Sequence, residues 1–151
     1  MTASAPPSRT RTWQAWVLAA LELFVAYQAV SGGMGLIYDT WELPTEWLVR
    51  TPFSSWVGPG WLLIGTVAFP HVLAAIPVLF LPRRPALGTL AGVLAGVSLL
   101  LWIAIQVAVL QVYFFLQPVI AVIGLMELGL ALWWRAGLRR EVASGSLARP
   151  A

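Results

Sequence analysis

Apolar positions in this chain run in four long blocks, broken by short polar stretches. The blocks cover residues 13–38, 59–81, 86–110 and 118–134. A helix that crosses the hydrocarbon core of a bilayer needs ~20 mostly apolar residues. Each block therefore predicts one transmembrane helix, and the chain as a whole predicts an all-α membrane protein with four spans. Within the blocks, Ser31, Gly32, Gly33 and Gly35 are expected to loosen the end of the first helix, and Pro70 and Pro77 to bend the second.

The longest connection, residues 39–58, is the one substantial segment outside the blocks. Pro44 suits the first position of a helix. Residues 45–50 have room for two turns, which Pro52 would end. Trp41, Trp47, Trp56 and Trp61 gather here. Tryptophan prefers the headgroup level, where its body is apolar and its N–H meets water. The expectation is a short helix lying on the outer interface. Its tryptophans read either as an aromatic belt or as a lid over a binding site.

Composition supports a membrane reading. Hydrophobic residues make up 60% of the chain and charged residues 10%, against about 45–50% and about 25% in soluble domains. A chain of 151 residues buries too small a share of its surface to hide that excess. Cysteine is absent, which excludes disulfides, thiol catalysis and Cys-based metal sites. All nine basic residues are arginine. Together with many Ala, Leu and Gly residues, this hints at a GC-rich bacterial genome.

The net charge of +3 does not point to nucleic acid, because the arginines lie at the ends of apolar blocks and not in a basic patch with interleaved aromatics. Arg9 and Arg11 precede the first block, Arg83 and Arg84 sit in the second connection, and Arg135, Arg139, Arg140 and Arg149 follow the fourth block. The first connection sets Arg50 against Asp39, Glu42 and Glu46, and the third has no charge. The positive-inside rule then places both termini and the second connection in the cytoplasm. A cleaved signal peptide is not expected, because the first block is too long, contains Glu22 and lacks a small-x-small cleavage site. Residues 1–12 are expected to be a disordered cytoplasmic tail. Residues 135–151 form a basic cytoplasmic tail, disordered after Glu141.

Ionisable groups inside spanning helices are expensive, so each one counts as a functional candidate. There are three: Glu22, His71 and Glu127. At ~1.5 Å rise per residue, all three lie roughly 12–17 Å from the cytoplasmic edge. Glu22 is flanked by Ala19 and Ala26, His71 by Ala68 and Ala75, and Glu127 by Gly124 and Ala131. Positions three before and four after a residue share its helical face, and small residues mark helix contact in membranes. All three groups are therefore expected to point into the bundle. Gly88, Gly92 and Gly96 make a small-xxx-small ridge on the third helix. Gln106 falls on the same side as Gly88, one layer further out.

Three outcomes are open for this cluster. It forms a neutral clasp that holds the helices in register, or it lines a cavity that exchanges a proton or grips a headgroup, or its members never meet. A metal is not expected, because the Glu-x-x-His pair of metal-binding bundles is missing. Neither is haem ligated by two histidines of one chain, since there is one histidine. No nucleotide loop, nucleophile elbow or zincin motif is present, so neither an enzyme nor a cofactor is expected.

Thr51-Pro52-Phe53, Pro59-Gly60 at the second block, Trp102 with Gln106, Gln117-Pro118 at the fourth block, and Gly124 with Glu127 stand in this order along the chain. On these residues the chain resembles a group of small four-helix membrane proteins common in actinobacteria and other bacteria. The resemblance covers residues 18–134. It implies a fold and a location in the cytoplasmic membrane, and it carries over no catalytic residue. His71 lies outside the shared pattern.

Three functions remain for a chain of this kind. The first expectation is a non-enzymatic accessory or structural subunit, partnered with another membrane protein or with itself. The second is a protein that binds lipid, quinone or another apolar molecule beneath the outer tryptophans. The third is a small proton-coupled or ion-conducting channel that uses Glu22 and Glu127.

Overall fold

A computed structural model describes residues 12–147. The described residues form an all-helical bundle without strands. Its four long helices are α1 (Trp13–Ile37), α2 (Val57–Phe80), α3 (Pro85–Leu110) and α4 (Leu116–Leu147). Each is long and apolar enough to cross a membrane. Neighbours in sequence pack as neighbours in space. The α3–α4 and α1–α2 contacts are extensive, α2 packs along α3, and α1 meets α4 more sparsely. The bundle is thus a ring of four helices in which α2 and α4 stand diagonally opposite.

Helix boundaries follow local chemistry. Pro85 opens α3, where its missing N–H is no loss. Gln111 ends the same helix in the left-handed conformation, as residues after a helix end often do. The fourth helix is longer than its apolar block. Residues 135–147, expected as a tail that becomes disordered after Glu141, continue the helix to Leu147. Arg, Ala, Leu and Glu there are strong helix formers, and no proline interrupts them before that point. The 1–11 part of the expected N-terminal tail, including Arg9 and Arg11, lies outside the described residues, as does Arg149.

One expectation about α1 is corrected. Ser31 to Gly35 do not loosen α1, which runs unbroken to Ile37. The glycines there serve close approach. A Cβ on Gly33 would lie 2.8 Å from the Gly60 carbonyl oxygen, and a Cβ on Gly60 would lie 2.7 Å from that of Gly33. In α2, the disturbance at Pro70 takes the form of a widened π turn over Ile64–Ala68. There the Phe69 N–H bonds the Ile64 carbonyl five residues back. Proline cannot donate a backbone hydrogen bond, and π turns are one way a helix absorbs that defect.

The connection before α2 contains one 3-10 turn, Thr45–Leu48, instead of two helical turns. Thr51 closes it early, because both its N–H (2.7 Å) and its hydroxyl (2.8 Å) donate to the Leu48 carbonyl.

Outside the bundle, large apolar side chains such as Phe24, Leu73, Leu94 and Leu125 are exposed on all four helices. A soluble monomer rarely tolerates so much exposed apolar surface. Inside, two apolar clusters are stacked along the bundle. One, near the chain termini, gathers Ala15, Leu18, Ala19, Val78, Ala131 and Trp134. The other gathers Val25, Ala29, Val67, Ala68 and Leu99. Between them lies a layer that is not apolar.

Candidate functional site

Glu22 on α1, His71 on α2 and Glu127 on α4 occupy that layer, and all three have 0% exposure. The six flanking small residues, Ala19, Ala26, Ala68, Ala75, Gly124 and Ala131, are buried with them. His71 Nε2 lies 3.2 Å from Glu127 Oε2. This contact crosses the diagonal of the ring, between the two helices that otherwise scarcely meet. The side of the layer facing α3 is closed by backbone. Gly96 packs so tightly on α4 that a Cβ would lie 2.8 Å from the Leu128 nitrogen and 3.1 Å from the Gly124 oxygen.

The hydrogen-bond partners limit where protons sit. His71 Nδ1 is 2.7 Å from the Val67 carbonyl oxygen. A carbonyl only accepts, so Nδ1 carries the hydrogen. Nε2 and Glu127 Oε2 then hold one proton between them. Either the carboxyl O–H donates to a neutral ring, or an imidazolium N–H donates to a carboxylate. Both arrangements make the pair neutral overall, which suits a dry interior where an uncompensated charge costs several kcal/mol.

Glu22 is different. Neither of its side-chain oxygens has a hydrogen-bond partner, and Glu127 Oε1 has none either. The sequence placed the three residues at one depth. What it did not show is that two of them bond while the third stands beside the pair with its acceptors open. The backbone acceptor at Val67 is equally invisible in sequence, since it depends on how the ring folds back along its own helix.

Gln106 does not join the layer. It is ten residues beyond Gly96, which is ~15 Å along the helix, and it is half-buried. The glycine ridge on α3 meets three different surfaces. Gly88 faces the Trp134 ring and Val78, Gly92 faces Leu18 and Ala131, and Gly96 faces the α4 backbone at Gly124.

The tryptophans of the first connection do not act as one group. Trp56 is buried and donates its indole N–H to the Leu43 carbonyl at 3.0 Å. Trp47 meets it edge-on, with ring centroids 6.4 Å apart. Trp41 covers Gly35 and the edge of Gly32. Trp61 is exposed on α2.

Sequence reasoning passed over Gln117 as a structural residue. It is buried, accepts the Phe114 N–H at 3.1 Å and donates to the Val112 carbonyl at 3.1 Å. Those two bonds fold the α3–α4 connection. A groove of about 560 Å³ opens beside it, lined by Ile103, Val107, Gln111, Tyr113 and Pro118 among others, and none of the four tryptophans lines it. The signal was available in Gln117-Pro118: a polar residue just before a proline at a helix start can cap a turn.

Among the described residues, no three His, Cys, Asp or Glu side chains are arranged to hold a metal ion. Comparison with known proteins finds no family model, no curated protein and no solved structure that matches this chain.

Proposed function

We propose that this protein is a non-enzymatic subunit of the cytoplasmic membrane, with both termini inside, that works by assembling with a membrane partner or with further copies of itself. The observation that carries this reading is the filled centre of the bundle. Apolar clusters close the polar layer from both ends, and the layer is bonded across the ring diagonal. A bundle packed in this way is a rigid body with an apolar exterior. Such a body suits association within a membrane, where helices meet through packing and small residues.

The packing gives less support to the two rival readings. A conducting path would have to pass both clusters. A ligand beneath the tryptophan-rich connection would have to displace Trp56 from Leu43 and Trp47. The arginine pattern supports the orientation, and the single 3-10 turn with Trp41 and Trp47 then lies at the outer headgroup level.

Native mass spectrometry of the protein, gently extracted from its own membrane, tests the proposal. A complex with a second polypeptide or a symmetric oligomer is expected. A lone chain that retains a small molecule would refute it and favour the ligand reading.

A further inference from the structure

We infer that two copies of this chain pair in the membrane through the outer face of α1, with Gln28 of one copy hydrogen-bonded to the partner's Gln28. The inference rests on the reading of the protein as an assembling subunit, and it names the partner and the contact. It starts from a polar side chain that the bundle leaves outside. Gln28 is exposed on α1, fifteen residues after Trp13 and nine before Ile37. At ~1.5 Å rise per residue it stands roughly 22 Å from one end of the helix and roughly 13 Å from the other. That depth is inside a hydrocarbon core about 30 Å thick. Its amide makes no hydrogen bond with any described residue. An amide has two donors and an acceptor. Lipid tails offer it no partner, so leaving it unbonded at that depth is costly.

Other polar side chains on the spans are provided for. The hydroxyls of Thr66 and Ser98 bond carbonyls of their own helices, Leu62 at 2.6 Å and Ala95 at 2.8 Å. Gln106 is four residues from the end of α3, ~6 Å along the helix, and can reach the headgroups as long polar side chains do. Around Gln28 the opposite holds. Tyr27 and Ser31 are exposed as well, on the side of α1 away from the buried Glu22. Three hydrogen-bonding side chains thus lie within residues 27–31 on the outside of one spanning helix.

Depth decides what covers this face. Copies of one chain insert with the same orientation, so a two-fold axis relating them runs along the bilayer normal. A two-fold interface uses the same patch on both copies, and each residue near the axis meets its counterpart at its own depth. A glutamine amide is self-complementary. The N–H of Gln28 donates to the carbonyl of the partner's Gln28, and the reciprocal bond closes the pair. An unrelated helix would need a polar group at this depth by coincidence, whereas a second copy always has one. Small side chains allow the approach: Ala20, eight residues before Gln28, and Ser31, three after, are both exposed. Membrane helices associate through such residues and through interhelical bonds from Gln.

The absence of cysteine suits the protein to single-cysteine cross-linking in its native membrane. Phe24 and Ser31 flank Gln28 on the same helical face and are exposed. Leu101 is exposed on α3, the helix diagonal to α1, and sixteen residues after Pro85 it lies at a similar depth. Oxidation of the Phe24→Cys or Ser31→Cys protein is expected to give a disulfide-linked dimer, and oxidation of Leu101→Cys is not. Adding Gln28→Leu should weaken self-association about fivefold to thirtyfold, read as dimer fraction against protein-to-lipid ratio. Gln28→Asn should keep most of it. Cross-linking through Leu101 and not through the α1 positions would overturn this interface and leave assembly of copies standing. A dimer through Phe24 and Ser31 that is indifferent to Gln28→Leu would overturn the assigned contact. No cross-link at any of the three positions would overturn the inference, and native mass spectrometry of the same membranes then separates two cases. A complex with a second polypeptide keeps the assembly reading, and a lone chain removes it too.

Discussion

The two buried glutamates ought to respond to substitution in opposite ways. Glu127 holds His71 across the bundle, so Glu127→Leu strands a ring nitrogen in a dry interior, at a cost of about 1–3 kcal/mol. Glu127→Gln keeps a donor against Nε2 and should stay within about 1 kcal/mol of the parent, in line with the modest worth of interhelical hydrogen bonds in membranes. Glu22 has no such bond. Glu22→Leu removes an unsatisfied group and is expected to leave stability unchanged or to raise it. Reversible unfolding of each variant in mixed micelles measures all three, and equal losses for the two leucine variants would contradict the asymmetry. Trp56→Phe loses the bond to Leu43 and is expected to cost about 1 kcal/mol. The loss should appear first as faster proteolysis of the first connection.

Packing along α3 grades the glycine ridge at the scale of whole elements. A methyl at position 96 would meet α4 backbone at 2.8 Å, one at 92 would meet the flexible end of Leu18 at 2.7 Å, and one at 88 would meet the Trp134 ring and Val78 at 3.3 Å. Backbone cannot step aside as a side-chain end can. Gly96→Ala should therefore destabilise most, by about 1–3 kcal/mol, with Gly92→Ala less costly and Gly88→Ala nearest to neutral. Thermal unfolding of the three variants gives this order directly, and an inverted order would mean that α3 and α4 do not pack in this register. Much of this was legible beforehand, because a repeat of glycines four apart is a contact face wherever it occurs in a membrane helix. Less was legible in α1 and α2. The Ser31–Gly35 run looked like a weak point, yet Gly33 is where Gly60 approaches. Glycine permits flexibility and close contact alike, and only a neighbour decides between them. Pro70 likewise announced a defect without showing that a π turn would absorb it.

For the whole molecule, orientation and assembly follow from surface properties. Reporter fusions placed after Arg84 and after Leu147 should report a cytoplasmic position, and one after Asp39 an external one, as the arginine distribution requires. Moving two arginines from the second connection into the third should weaken or reverse that topology, which the same reporters would register. The extended α4 carries Arg139 and Arg140 on a continuous helix beyond its apolar block. The charge of Arg139 and Arg140 therefore sits on a helix and not on an irregular tail.

What the sequence by itself determined is set by one-dimensional quantities. Block length and hydropathy gave four spanning helices. Residue counts from the block ends gave the shared depth of Glu22, His71 and Glu127. Small residues three before and four after each gave the buried face. What only the tertiary structure decided depends on distances between helices. It set which carboxyl reaches the imidazole, which is left open, and that Val67 supplies the second acceptor. Helical periodicity fixes the side of a helix on which a residue lies. The rotation and spacing of neighbouring helices come from side chains meshing across the gap, and no property of a single helix contains them.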